Sequence, residues 1–208
     1  MISATGVTAG KTSFGIKVGI NTSNAAGTPE GWDDSIEWKT GITAGAFVKF
    51  AINENFSLQP EILYTQKGFG SSLIDGIIDV DMKVSLDYFE LPFLARYAFS
   101  AGEKFRPVLF AGPSFAYCFG STLTVSSWIF SGDVDISSIT HTTDFGLVLG
   151  GGFDYAMDRG ILIFDARFTY NVTKVILSGD FEINGETDTI DEDDFQNYGL
   201  SFTLGYAF

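Results

Sequence analysis

The chain has 208 residues, a net charge of −14, 45% hydrophobic and 15% aromatic residues, and one cysteine. Twelve Lys and Arg with no basic stripe exclude a nucleic-acid surface, and a lone Cys118 excludes an internal disulfide or a cysteine-based zinc site. The longest run of apolar residues and glycine, 145–153, is far short of the roughly 20 residues a transmembrane helix needs, while 24 Gly, 21 Phe and 8 Tyr favour strands and turns.

Residues 1–12 are expected to be a flexible lead-in and 13–208 a single barrel domain, since all-β barrels of this length fold as one unit. Residues 1–10 lack the apolar stretch of a secretory signal, so an export signal is expected to have been removed. In the first periodic segment Phe14, Ile16, Val18 and Ile20 alternate with Gly15, Lys17, Gly19 and Asn21. A period of two with one greasy face predicts a strand. Next, Ile42, Ala44, Ala46, Val48, Phe50 and Ile52 alternate with Thr43, Gly45, Phe47, Lys49 and Ala51, where Phe47 is the one misfit. Segments 56–68, 83–99, 107–119, 143–157 and 161–171 behave alike. The last strand sets Tyr198, Leu200, Phe202, Leu204, Tyr206 and Phe208 against Gly199, Ser201, Thr203, Gly205 and Ala207.

Eight strands result, and their connections alternate in kind. Residues 53–55, 100–106 and 158–160 are short links, whereas 22–40, 69–82, 120–142 and 172–197 are long. That pattern predicts an all-β protein, a closed eight-stranded antiparallel up-and-down transmembrane β-barrel. Both termini then fall at the short-turn, periplasmic end and the long loops outside the cell. A soluble barrel would hold its apolar side chains within and its charges without. Here the small and polar parity carries Lys17, Lys49, Lys67, Arg96 and Arg167 with Glu61, Glu90, Asp144, Asp154 and Asp165. Ten charged groups cannot face lipid, but a narrow lumen that pairs five cations with five anions tolerates them.

Several stretches carry a family resemblance. Gln59-Pro60-Glu61-Ile62-Leu63-Tyr64-Thr65-Gln66-Lys67-Gly68 and Tyr88-Phe89-Glu90-Leu91-Pro92-Phe93-Leu94-Ala95-Arg96-Tyr97 are two of them. Residues 107–114 with Ala111-Gly112-Pro113, residues 144–153, and Asp165-Ala166-Arg167-Phe168-Thr169-Tyr170 are the others. Together they resemble the PorT-like, or porin-family, outer-membrane barrels of Bacteroidetes, related in architecture to OmpX and the OmpA barrel. The resemblance implies fold and location and selects no substrate. The terminal Tyr206-Ala207-Phe208 is similar to the aromatic signal read by the outer-membrane insertion machinery, with Phe208 as its key residue.

For the ten luminal charges the plainer reading is a static salt-bridge core, because eight strands enclose a space that side chains fill; a selectivity network is the alternative. The last long segment holds Asp180, Glu182, Glu186, Asp188, Asp191, Glu192, Asp193 and Asp194 against Lys174. It lacks an EF-hand order of ligands, so a solvated charge run is expected, with weak divalent-cation binding or bridging to lipopolysaccharide as the alternative. The one histidine, His141, lies three residues from Asp144, which in a strand puts the two on opposite faces and argues against a catalytic pair. Trp32, Trp38 and Trp128 fall in the long segments and are read as interfacial or loop-packing aromatics.

The expectation is therefore a monomeric, non-enzymatic outer-membrane barrel without cofactor or metal, acting as an envelope structural or surface-interaction protein through acidic loops. Its partners would be outer-membrane lipid and lipopolysaccharide, with the insertion machinery during biogenesis. A narrow channel, or an accessory part of a secretion or gliding apparatus, is the alternative.

Overall fold

Strands with one lipid-facing side satisfy their backbone groups in a membrane only when the sheet closes on itself. The computed structural model describes residues 11–26, 36–75, 78–100, 102, 104–127, 131–135, 143–173, 175–183 and 186–208. Its strands in chain order are β1 (Thr12–Ala26), β2 (Ile36–Ala51), β3 (Phe56–Asp75), β4 (Ile78–Ala98), β5 (Phe105–Ser127), β6 (Ser131–Asp135), β7 (Thr143–Met157), β8 (Gly160–Asn171), β9 (Val175–Ile183) and β10 (Glu186–Ala207). Eight of them, β1-β2-β3-β4-β5-β7-β8-β10, form an antiparallel ring. It closes where β10 pairs with β1, from Gly15 opposite Ala207 to Ala26 opposite Gln196. The other two stand outside the ring: β6 pairs with the far part of β5, and β9 with the far part of β10.

At one end the connections are short, as expected. At the other, the strands run on into segments read from sequence as loops. Residues 69–82 are mostly a β3–β4 hairpin, 120–142 contain the end of β5 and all of β6, and 172–197 contain β9 and the start of β10. Trp38 accordingly sits on β2 and not in a loop. On β4, Phe89, Leu91 and Phe93 are exposed outside while Glu90 and Arg96 are buried within. A few residues further along, Leu86 and Tyr88 are buried inside against Ala116 and Cys118, with Val84 packed on them. Ser85 and Asp87 now take the outer parity, with exposed Lys83. On β4 the alternation thus continues with its polarity reversed.

Candidate functional site

Because inward positions recur every second residue, each strand delivers its charges to one axis, and the register decides which of them meet. In the middle of the lumen Lys17 on β1 donates to Glu61 on β3 at 2.7 Å and to Asp165 on β8 at 3.0 Å. Arg167 reaches the same two carboxylates, at 2.9 Å to Glu61 and 3.5 Å to Asp165. Arg96 on β4 spans Asp165 at 2.9 Å and Asp154 at 3.1 Å, and Lys49 on β2 meets Asp154 on β7. Gln59 Nε2 adds a hydrogen bond to Glu61 Oε1 at 2.7 Å. These groups tie six strands together wall to wall. All are buried, Asp165 completely and Arg96 with 1% exposure, so each charge depends on its partners and not on water.

Nearer the long-strand rim, Lys67 pairs with Glu90, which also accepts from Thr65 Oγ1 at 3.0 Å, and Thr65 in turn shares a hydrogen bond with Thr43. Nine of the ten predicted luminal charges are thus ion-paired. Asp144 corrects the expectation of five matched pairs: it accepts from Asn171 Nδ2 at 2.9 Å and Thr173 Oγ1 at 3.2 Å, and makes no ion pair among the described residues. It lies at the start of β7, where its hydrogen-bond partners are neutral donors from β8 and the segment after it.

Aromatic rings complete the plug. Lys17 lies 5.2 Å from the centroid of Phe47, Arg96 and Arg167 lie 5.0 and 5.7 Å from Phe110, and Lys67 lies 5.0 Å from Tyr88. Cations over desolvated ring faces are stabilised by the ring quadrupole. Glycines opposite make room. A Cβ on Gly15 would fall 2.2 Å from Phe47 Cζ, and one on Gly150 would fall 2.4 Å from Phe110. Sequence reasoning missed these rings, although Phe47 as the misfit in its strand was the available signal.

The outer wall carries two aromatic girdles. Exposed Phe14, Tyr97, Phe99, Phe105, Tyr155 and Phe208 ring the short-turn side, and Trp38, Phe89, Tyr117, Phe119 and Tyr170 the other. On β7 the girdles are ten residues apart, Phe145 to Tyr155. At the usual rise and tilt this spans about 25 Å, the height of the apolar band of an outer-membrane barrel. Trp38 packs edge-on against Tyr198, with centroids 5.4 Å apart, as an interfacial aromatic. Phe208 is exposed at the end of the last strand, its N–H bonded to Phe14 O at 2.7 Å. His141, Trp32 and Trp128 lie outside the described residues, as do the side chains of the acidic run from Asp180 to Asp194.

Residues 6–177 match the family described as outer membrane protein beta-barrel domain. The chain belongs to that family. It is a protein of the bacterial outer membrane, and the girdled band is its lipid-facing surface. OprG from Pseudomonas aeruginosa is similar in fold, with 12% identity, 97% of this chain and 98% of that chain covered, and a TM-score of 0.55. Neisserial surface protein A (NspA) matches with 16% identity over 95% of this chain and 99% of its own, TM-score 0.46. Ail, the attachment invasion locus protein of Yersinia pestis, matches with 14% identity over 97% and 100%, TM-score 0.41. At such identities these similarities concern the fold alone. Among curated proteins no sequence matches this outer-membrane barrel.

Proposed function

We propose that this barrel is a non-enzymatic, non-conducting envelope protein that works through the acidic surface at its long-strand end. The observation that carries the reading is the distribution of charge. The lumen holds five cations against five anions, buried and tied to one another or to neutral donors. From the long-strand rim outward, by contrast, fall eighteen of the 26 acidic residues and three of the twelve basic ones. Nearly all the net charge therefore belongs to one end, which suits an exposed surface that repels like-charged neighbours and attracts cations or basic partners. On this reading the long-strand end faces outside the cell, the termini face the periplasm, and Phe208 serves as the signal for the insertion machinery. The protein acts as a monomer, needs no cofactor, and binds divalent cations weakly at its acidic segments, through which it contacts lipopolysaccharide. Residues 59–68 and 88–97 support a PorT-like affiliation within the family.

Two measurements test this. In planar bilayers the purified barrel should give no steady current, because the middle of the lumen is filled by buried, paired side chains; stable openings of a single size would overturn the non-conducting reading. In intact cells, Thr122→Cys in a Cys118→Ala background should react with a membrane-impermeant thiol reagent. Labelling only after the outer membrane is broken would reverse the orientation.

A further inference from the structure

Two basic residues of the long-strand end, Lys39 and Lys83, sit low, against the membrane girdle. Lys39 directly follows Trp38, whose ring packs on Tyr198. Lys83 lies on the outer face of β4, two positions along that face from Asp87, which Tyr64 of the girdle binds through its hydroxyl at 2.7 Å. The acids of β4, β6 and β9, namely Asp79, Asp81, Asp133, Asp135, Asp180 and Glu182, belong to strand segments further from the girdle. Lys39 and Lys83 thus stand at headgroup height, with Glu37 and Asp87 at the same level, while the longer acidic segments run on beyond.

The two lysines converge. The ladder between β2 and β3 shifts register between Trp38 and Thr43, and the Lys39 side chain crosses β3 over Gly68. Gly68 has φ of +143° and no Cβ; one built there would come 2.9 Å from Lys39 Cδ. Lys39 Nζ then donates to Ser85 Oγ. Ser85 is two residues from Lys83 on the same face, roughly 7 Å along the strand. The hydroxyl therefore accepts from one ammonium and has a second lysine next along its face, and as a donor it can serve an incoming acceptor. Asp87, the near carboxylate, already accepts from Tyr64 and from Gln66 Nε2 at 3.2 Å, and it ion-pairs with neither lysine among the described residues. Burial lowers the Lys39 pKa, Asp87 raises it and Lys83 lowers it further, so the pair gains from an added anion.

We propose that Lys39, Lys83 and Ser85 form a binding site for the phosphate of a phosphorylated lipid in the outer leaflet, its acyl chains lying on the exposed rings of Phe89 and Phe119 below. The phosphate would accept from both ammoniums and from the serine hydroxyl. The assignment rests on the proposed orientation only for which leaflet supplies the lipid; the binding chemistry is independent of it.

The probe is diphosphoryl lipid A, titrated into the detergent-solubilised barrel against phosphatidylethanolamine and read by native mass spectrometry. Wild type should retain lipid A preferentially. Lys39→Gln/Lys83→Gln should lower that retention about thirtyfold, given what two lysines contribute near an anionic lipid, and should keep the heat-modifiable mobility of the folded barrel. Lys11→Gln/Arg159→Gln at the other end should leave it unchanged. Unchanged retention in the first variant, or an equal fall in the second, overturns the site. Displacement of lipid A by millimolar inorganic phosphate overturns the lipid as ligand in favour of free phosphate. The thiol-labelling experiment on intact cells decides the orientation separately, so that a failure of either idea is recognisable.

Discussion

Strand β4 is one continuous ribbon that lives in two solvents. From Tyr97 to Phe89 its outer face is aromatic and aliphatic and its inner face holds Arg96 and Glu90. From Asp87 to Lys83 the outer face is polar and the inner face holds Leu86 and Tyr88 in an apolar cluster. The lower half is inside out relative to a soluble sheet and is held within by wall-to-wall ion pairs. The upper half obeys the soluble rule and is held by burial of apolar surface. The turnover falls at the girdle, where the Tyr64 hydroxyl meets Asp87 and the rings of Phe89 and Phe119 stack with centroids 4.5 Å apart. Which residues count as core is therefore set by what surrounds the strand, and a single strand reports where the membrane ends.

Arg96→Ala should break the lower half most. Asp165 and Asp154 would lose a shared partner in a buried site, and removing one member of a buried pair costs about 3–5 kcal/mol. Urea titration of the barrel refolded into phospholipid vesicles should register that loss. A change below about 1 kcal/mol would mean that the luminal charges are not needed to hold the walls together.

Next in size is a charge placed on the outer face. Phe93 is 60% exposed and lies midway between the girdles on β4. Phe93→Arg should cost roughly 2–4 kcal/mol on insertion into lipid. Thr122→Arg occupies the same outer face beyond the girdle, on β5 opposite Ser85, and should change stability by about 0.5 kcal/mol or less. Equal penalties at the two positions would remove the boundary drawn between them. Leu86→Ala, on the inner face of the upper half, should cost about 2 kcal/mol, the low end for a buried leucine, because the cluster around it is small and near the rim.

Much of this was legible in the sequence because period-two alternation and the placement of ten charges on one parity are local signals. Strand number, closure, the short-turn end and the luminal set came from them. The extensions of β3, β4, β5 and β10 into 69–82, 120–142 and 172–197 are not legible as strands because Gly, Ser and acidic residues break up the apolar-out alternation there. Pairing within the lumen was equally hidden. Lys17 and Asp165 are 148 residues apart, and only the register across β1, β10 and β8 brings them together. Asp144 shares the parity of the other nine charges but meets Asn171 and Thr173 instead of a cation, so membership in the network depends on the partners the register supplies as well as on face. Cross-lumen rings such as Phe110 gave no sequence signal, since an inward Phe in a barrel strand looks like an error in the pattern until the cation above it is known.

The smallest expected effect tests the face assignment itself, on the last strand. Thr203 is 2% exposed, its hydroxyl without a hydrogen-bond partner among the described residues, while its neighbour Leu204 is 50% exposed on the outer wall. A buried hydroxyl that has lost its hydration without gaining a partner costs stability, so Thr203→Val, which keeps the shape and deletes the polar atom, should be neutral or stabilising by about 1 kcal/mol. On an outer, lipid-facing position the same swap would also be mild, so stability alone does not separate the faces. The decisive readout is a fluorophore attached at position 203 or 204 in a Cys118→Ala background, in vesicles with brominated acyl chains. A label at 204 should be quenched and a label at 203 protected by the closed wall. Quenching at 203 but not at 204 would turn this strand inside out, and because β10 is in register with β1 and β8 it would carry Lys17, Asp165 and Arg167 onto the lipid face with it. Ionised groups at that depth are not tolerated in a stable barrel, so one labelling experiment on the last strand bears on the whole luminal network.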